Sequence, residues 1–302
     1  KTAFQHPDVK FININVAEFD AAKHAALPLV ADAKVTLEAL TEALTDYRVD
    51  ADYAQEIAKH GQFWLDEVDR IYNLGHTPQP SQGEVIGAIN AFSDPQDVVV
   101  CAAGSMPGDL HKLWQTRNPK GFHLEYGYSC MGYEIAGGLG CKMAAPDREI
   151  YVLVGDGSYL MMAQEITTSI QEGYKLIIIL VNNNGYASIN GLSNSVGAQG
   201  YSTKYRFRAE ESGQLDGQVL PVDFTQNAAS LGANAIHVES VSDLQVALEK
   251  AKTSDITTVV TIDIDFEPRV PGYESWWDVP VAEVSEVETA QEAYRDYEVQ
   301  KQ

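Results

Sequence analysis

The chain contains 302 residues, of which 45% are hydrophobic and 21% charged, a composition typical of globular proteins and not of disordered, collagenous or coiled-coil chains. Its 43 acidic residues outnumber the 21 basic ones and give a net charge of −22. A surface this acidic repels nucleic acid and anionic membranes, and no apolar run approaches the ~20 residues of a membrane-spanning helix, so neither partner is expected. The three cysteines form no CxxC pair, and we expect reduced thiols in a cytoplasmic protein.

Residues 1–46 are predicted to be the end of an α/β domain. Apolar and polar residues alternate over 11–16 as in a strand, a second short strand is predicted at 29–32, and apolar residues recur at helical spacing over 33–45. Because the first strand lies so close to Lys1, we expect the chain to be the C-terminal piece of a longer polypeptide.

The next segment, 47–76, is predicted to be a helical connector. Two prolines within 76–82 interrupt helix and sheet alike, and they mark the start of a domain that we expect over 77–265. An acidic tail, 266–302, follows it and carries the pair Trp276–Trp277, which we expect to pack within the tail rather than to contact substrate.

Strands and helices alternate along the predicted domain. The strands are predicted at 97–102, 150–154, 176–181, 233–238 and 257–265. The helices are predicted at 85–92, 131–144, 161–171, 224–231 and 241–251. Wholly apolar strands are typical of parallel sheets covered on both faces. The pattern therefore predicts an α/β fold with a doubly wound parallel sheet.

A glycine-rich turn with one acid follows the strand at 150–154. The sequence Gly155-Asp156-Gly157-Ser158 ends this strand and opens a helix. Ligands of parallel sheets bind beyond the carboxyl ends of the strands, where glycines and free amides favour an anion. The Asp156 carboxylate would repel that anion unless a cation lies between them. We therefore expect Mg²⁺ or Ca²⁺ at this turn, and no other partner for the carboxylate.

A second polar turn follows the strand at 176–181 and contains three consecutive asparagines, from Asn182 to Asn184. Neighbouring parallel strands end side by side, so Asn183 can offer its amide oxygen to the ion held by Asp156. Carboxylate, amide and carbonyl oxygens are ligands that suit Mg²⁺. Either turn alone could be an ordinary connection, but the two together predict a site for a metal ion and a diphosphate.

The two turns resemble the cofactor motif of thiamine-diphosphate (ThDP) enzymes, and the match to their diphosphate-binding domain covers 77–265. The metal ligands that the resemblance implies are Asp156, Asn183 and the carbonyl of Gly185. The residues of the first turn that it implies in diphosphate binding are Gly155, Gly157 and Ser158.

Further positions match the family one by one. Gly104 and Ser105 follow a strand and resemble the diphosphate loop. In the segment that resembles the aminopyrimidine site, the Ser129 carbonyl would accept a hydrogen bond from the cofactor, and Met131 would wedge the cofactor into its bent shape. Tyr186, which follows the second polar turn, is a candidate cofactor contact.

The family mechanism also needs a glutamate from a separate pyrimidine-binding domain. No glutamate of this chain matches that role. The resemblance therefore implies that an N-terminal pyrimidine-binding domain, of the same or another subunit, completes the site in a homodimer or homotetramer. We expect the chain alone to be inactive.

Two stretches, 123–138 and 271–285, resemble the ThDP hydrolases that open trihydroxycyclohexane-1,2-dione in myo-inositol breakdown. This resemblance implies a small polyol dione as substrate and hydrolytic cleavage of a carbon–carbon bond to give 5-deoxyglucuronate. His123 and Glu125 are candidate substrate contacts or acid–base groups, and structural hydrogen bonds are the alternative for both.

Two other functions remain open at this point. One is a ThDP-dependent synthase or decarboxylase of the acetohydroxyacid synthase type, and the other is a non-catalytic fragment that needs its N-terminal half. The stretch 187–220 is rich in Gly, Ser and Asn at its start, and either a lid over the site or an ordinary surface loop fits its composition.

Overall fold

The computed structural model describes residues 4, 6–272 and 278–301. They divide into two units. The first contains the described residues up to Asp66 together with Gly272 and Asp278, and the second contains Glu67–Pro271 and the residues from Val279 onward. The boundaries expected near residues 46, 76 and 265 remain predictions. The pair Trp276–Trp277 lies outside the described residues.

The first unit contains a two-stranded parallel sheet and short helices. Its strands are β1, Ile12–Asn15, and β2, Leu27–Val30. Its helices are α1, Glu18–Ala21, and α2, Ala33–Ala43, with a 3₁₀ turn at Lys23–Ala25. The strand predicted at 29–32 lies two residues earlier because Asp32 caps α2, its Oδ1 accepting from Val35 N at 3.0 Å. Helix α3, Ala51–Tyr72, follows as expected, and the division between the units falls within it.

The second unit is built on a six-stranded sheet in which every pairing is parallel, in the order β4-β3-β5-β6-β8-β7. Its strands are β3 Val98–Cys101, β4 Phe122–Leu124, β5 Ile150–Gly155, β6 Ile177–Asn182, β7 Asn234–Val238 and β8 Thr258–Asp263. The predicted α/β doubly wound fold is confirmed. The chain passes from β3 to β4 on one side and returns to β5 on the other, so the topological switch point lies between β3 and β5.

Helices flank this sheet. They are α4 Gln82–Phe92, α5 Ser105–Leu113, α6 Tyr133–Ala144, α7 Asp156–Met161, α8 Glu165–Gln171, α9 Ala187–Ser195, α10 Phe224–Ser230, α11 Val241–Thr253 and α12 Glu288–Lys301. No helix in the described segments is long and apolar enough to cross a membrane.

Several of these helices differ from the predicted ones. The helix predicted at 131–144 starts two residues later because Gly132 precedes it with a left-handed φ of +91°. The helix predicted at 161–171 starts four residues later, as α8, because α7 ends at Met161 and Met162 leaves the helical conformation at φ −150°. Helices α5, α9 and α12 and the three-residue strand β4 were not predicted at all. Short elements without a sustained period give little sequence signal.

The centre of the sheet forms the core. The side chains of β5 and β6 are buried from Ile150 to Val154 and from Ile177 to Asn182. Burial on both faces explains the unbroken apolar runs of these strands. The core therefore fixes the point at which each strand ends, and with it the position of the two polar turns.

Candidate functional site

A cavity lies at the carboxyl ends of β3, β5 and β6, at the switch point of the sheet. All the predicted metal and cofactor residues line it except Ser129. The lining residues among them are Gly104, Ser105, Met131, Gly155, Asp156, Gly157, Ser158, Asn183, Gly185 and Tyr186. The enclosed volume is about 50 Å³, enough for a small polar group and not for a whole dinucleotide-sized ligand.

Asp156 is the most buried charged group of this cavity, with 1% of its surface exposed. Its Oδ1 accepts from Gly157 N at 2.9 Å and its Oδ2 from Gly185 N at 2.8 Å. The expectation that the carboxylate has no partner without a metal is therefore wrong, because backbone amides hold both oxygens. Burial raises its pKa to about 6, and these amides, with those of Asn183 and Asn184, oppose the rise.

The three asparagines after β6 have different surroundings. The side chain of Asn182 donates to Asp263 Oδ1 at 2.7 Å and accepts from Asn184 N at 3.1 Å, so the sheet edge uses it. Asn184 has a left-handed φ of +59° and forms the bend. Asn183 alone among them lines the cavity with Asp156.

The donor set fits a hard divalent cation. The buried Asp156 carboxylate has no salt bridge among the described residues, and Asn183 lines the same cavity. Within the described segments, no three His, Cys, Asp or Glu side chains come together as a metal cluster. A cation here would therefore be held by the mixed set of carboxylate, amide and carbonyl oxygens that Mg²⁺ accepts.

The turn after β6, 183–186, contains two of the expected metal ligands and is called the metal turn. It is held in place by the segment 203–205, about 20 residues later. Tyr186 N donates to Thr203 O at 2.8 Å, and Tyr205 N donates to Asn184 O at 3.0 Å. Between them Gly185 forms an antiparallel bridge with Lys204. The stretch 187–220 therefore contains helix α9 and the segment 203–205, which pairs with the turn after β6. It is not a wholly irregular loop.

The remaining candidate residues lie outside the cavity lining. Ser129 is exposed, with a positive φ of 52°. His123, on β4, shares a 2.7 Å hydrogen bond with the hydroxyl of Tyr133. Glu125 accepts from Tyr128 N at 3.1 Å and Cys130 N at 2.8 Å, bonds that lower its pKa. For His123 and Glu125 these contacts favour the structural alternative.

Sequence reasoning missed Glu134, a carboxylate 1% exposed beside the cavity. Its Oε1 accepts from Ala103 N at 3.2 Å and its Oε2 from Gly132 N at 3.0 Å, while the Ser158 side chain is close enough to lower its pKa by hydrogen bonding. Burial is the larger effect, and the pKa of Glu134 is raised. A single acid in a Gly- and Ala-rich helix was the signal that could have identified it.

The comparisons with known proteins agree with this geometry. The family described as thiamine pyrophosphate enzyme, C-terminal TPP binding domain, matches residues 102–262. A 3D-(3,5/4)-trihydroxycyclohexane-1,2-dione hydrolase of Bacillus cereus (strain AH820) is 41% identical over 318 aligned positions, covering 97% of this chain and 49% of the relative. The enzyme of the same name from Bacillus thuringiensis (strain Al Hakam) is also 41% identical, with the same coverage. The chain thus spans about half the length of the curated relatives it matches.

A solved structure is similar in fold. The thiamine diphosphate-dependent 4-hydroxybenzoylformate decarboxylase of Rhodococcus jostii RHA1 aligns with a TM-score of 0.54 and 18% identity, covering 65% of this chain and 34% of that one. At this identity the likeness concerns the fold alone. The family match falls on the sheet that carries the cavity, and the chain belongs to the thiamine pyrophosphate enzymes through their C-terminal TPP binding domain.

Proposed function

We propose that the chain supplies the diphosphate- and metal-binding half of a ThDP- and Mg²⁺-dependent hydrolase that cleaves a carbon–carbon bond of a cyclic 1,2-dione. The observation that carries this proposal is the meeting of Asp156, Asn183 and the Gly104–Ser105 loop around one cavity at the switch point. The names of the relatives support the choice of trihydroxycyclohexane-1,2-dione as substrate, in inositol breakdown.

Electrostatics explains why a metal belongs in this proposal. The chain carries a net charge of −22, and none of the described residues that line the cavity is Lys or Arg. A diphosphate bound there needs positive charge from another source. Mg²⁺ held by Asp156, Asn183 and the Gly185 carbonyl would supply the charge, and the backbone amide of Ser158 would supply a hydrogen bond. The amide of Gly157, which was also expected to bind the diphosphate, instead donates to Asp156.

The chemistry divides between cofactor and protein. When bound, ThDP supplies a nucleophilic carbon and accepts the electron pair released by carbon–carbon cleavage. The residues of this chain bind and orient it: Ser105 at the start of α5 would contact the diphosphate, and Met131 would press on the cofactor to hold its bend. The exposed Ser129 carbonyl remains the proposed acceptor for the aminopyrimidine, outside the enclosed part of the cavity.

The other half of the site would come from the N-terminal pyrimidine-binding domain of a longer protein. Leu160 and Met161 at the end of α7 are each 49% exposed, and Ile189, which lines the cavity, is 54% exposed. Exposed apolar side chains in and next to the segments that line the cavity support a partner that covers them. We propose that this domain belongs to the same or another subunit of a homodimer or homotetramer in the cytoplasm.

A substrate comparison tests the proposed reaction. The chain joined to the N-terminal half of its relatives should convert the cyclic dione into the open-chain 5-deoxyglucuronate when ThDP and Mg²⁺ are present, and it should leave pyruvate unchanged. The chain alone should be inactive, and activity should return when the N-terminal half is added. Decarboxylation or carboligation of pyruvate by the joined protein would instead support the synthase or decarboxylase alternative.

Glu134 gives a second prediction, on cofactor affinity. In Glu134→Gln, the amide nitrogen must face one of the two backbone N–H donors at Ala103 and Gly132, which loses its acceptor. A buried donor that loses its acceptor costs about 1–3 kcal/mol. Because Ala103 lines the cavity and Gly132 follows the cavity-lining Met131, we expect this cost to fall on the binding site. The expected result is roughly tenfold weaker ThDP binding by calorimetry at saturating Mg²⁺.

Asp97 provides the matched control for Glu134. It is also a buried carboxylate, 6% exposed, and accepts from Asp94 N at 2.7 Å, but it lies at the amino end of β3 while Ala103 follows the carboxyl end. Asp97→Ala, which removes the acceptor of Asp94 N, should lower the free energy of unfolding and leave ThDP affinity unchanged. Equal affinity losses in both variants would mean that Glu134 acts through general stability alone.

A further inference from the structure

Tyr205 has a hydroxyl group that the proposed site does not yet use. Its Oη is buried, and no hydrogen bond of normal geometry reaches it within the part of the chain that the structure describes. A buried hydroxyl without a partner costs about 1–3 kcal/mol. Native structures seldom retain such a group, and at a binding site the partner can arrive with the ligand.

The hydroxyl lies at the metal turn. The ring of Tyr205 packs edge-on against Tyr186, with ring centroids 5.6 Å apart, and a Cβ placed on Gly157 would lie 3.2 Å from Tyr205 Oη. Both Tyr186 and Gly157 line the cavity, and Tyr205 lies next to this lining rather than in it. Burial raises the pKa of Tyr205, and the nearby charge of Asp156 and the hydroxyl of Tyr186 add to the rise, so the group remains a neutral O–H donor.

The backbone holds Tyr205 in this position from both sides. Its N–H donates to Asn184 O at 3.0 Å, and its carbonyl accepts from Leu220 N at 2.9 Å. The neighbouring bridge between Lys204 and Gly185 joins the same segment to the metal turn. These bonds fix the backbone of Tyr205 beside the turn, and the edge-on packing of its ring against Tyr186 keeps the hydroxyl next to it.

We propose that Tyr205 Oη donates a hydrogen bond to an oxygen of the bound metal–diphosphate group, either a phosphate oxygen or a water on the metal. This inference rests on the proposed cofactor site. No Lys or Arg is among the described residues that line the cavity. A bound anion there therefore depends on the metal and on neutral hydrogen-bond donors, and the Tyr205 hydroxyl is such a donor. Hydrogen bonds to charged groups are among the stronger ones in proteins.

The test compares Tyr205 with a second tyrosine whose buried hydroxyl also has no partner among the described residues. This is Tyr151, which is the second residue of β5 and so lies at the opposite end of that strand from Asp156. Tyr151→Phe and Tyr205→Phe should each leave the ligand-free melting temperature unchanged or raised, since each removes an unsatisfied hydroxyl. Only Tyr205→Phe should weaken ThDP binding, by roughly tenfold in calorimetry at saturating Mg²⁺ on the chain joined to its N-terminal half.

Three results have distinct meanings. Failure of the wild-type protein to bind ThDP with Mg²⁺ would overturn the proposed function and this inference with it. Binding by the wild type with equal affinity in Tyr205→Phe would overturn the inference alone, as would a lower ligand-free melting temperature that accounts for the loss. A titration with Mn²⁺ alone separates the two acceptors, because weaker metal binding in Tyr205→Phe assigns the bond to a metal-bound water and unchanged metal binding assigns it to a phosphate oxygen.

Discussion

Asp156→Asn is expected to remove Mg²⁺-dependent ThDP binding, with an affinity loss on the order of 100-fold or more. Groups that only support a metal ligand typically contribute 10–100-fold, and Asp156 is the charged ligand itself in the proposed site. The asparagine keeps the volume of the side chain but loses its negative charge and leaves one of the amides of Gly157 and Gly185 facing an NH₂ group. Isothermal titration with ThDP at saturating Mg²⁺ measures the loss.

The same substitution also lowers the free energy of unfolding, so the control variant has to destabilise the fold by a similar amount. Because two backbone amides donate hydrogen bonds to Asp156, its replacement should destabilise the fold by about 1–3 kcal/mol. Replacement of a carboxylate without such partners would cost less. Asp263 ends the neighbouring strand β8, is half-buried and accepts from Asn182 at 2.7 Å, and it does not line the cavity. Asp263→Ala removes the acceptor of the Asn182 side chain, so it should destabilise the fold without weakening ThDP binding. Unchanged ThDP affinity in Asp156→Asn would refute the assignment of Asp156 as the metal ligand.

The central part of the site could be predicted because it depends on regular elements. Two apolar strands, β5 and β6, end in polar turns, and parallel strands that are neighbours in the sheet bring those turns together. Asp156 follows from that argument alone, as does the presence of an asparagine from the turn after β6 beside it. The same argument could not choose among the three asparagines; the match to the family chose Asn183, and the contacts of Asn182 with Asp263 agree.

Other parts of the site depend on contacts that leave no periodic pattern. Tyr205 reaches the metal turn through a short pairing of irregular backbone, and Glu134 reaches Ala103 across 31 residues. The carboxylate of Glu125 orders the loop through Cys130, a bond within a nonregular segment. Propensity and spacing describe elements one at a time, so side chains that join separate loops become visible only in three dimensions.

Gly185→Ala is expected to disrupt the metal turn. A Cβ at this position would lie 2.3 Å from Thr203 O and 2.8 Å from Lys204 Cα, and the backbone φ of +157° disfavours any side chain. Because the obstructing atoms are backbone atoms, the paired segment itself must move. The Gly185 N–H bond to Asp156 and the carbonyl proposed as a metal ligand would move with it. We expect about 1–3 kcal/mol of destabilisation and an affinity loss for ThDP and Mg²⁺ on the order of 100-fold.

Gly173→Ala is the control for Gly185→Ala, because it introduces a strained backbone conformation without a steric clash. Gly173 also has a positive φ, +71°, but nothing lies within 4 Å of a Cβ placed there, and it precedes the amino end of β6 while Gly185 follows the carboxyl end. The substitution should cost about 1 kcal/mol of unfolding free energy and leave cofactor affinity intact. If Gly185→Ala lost no more affinity than Gly173→Ala in the same titration, the close approach of the Thr203–Tyr205 segment would have no part in holding the metal turn. A selective loss would show that the proposed carbonyl ligand is positioned by a pairing that only glycine permits.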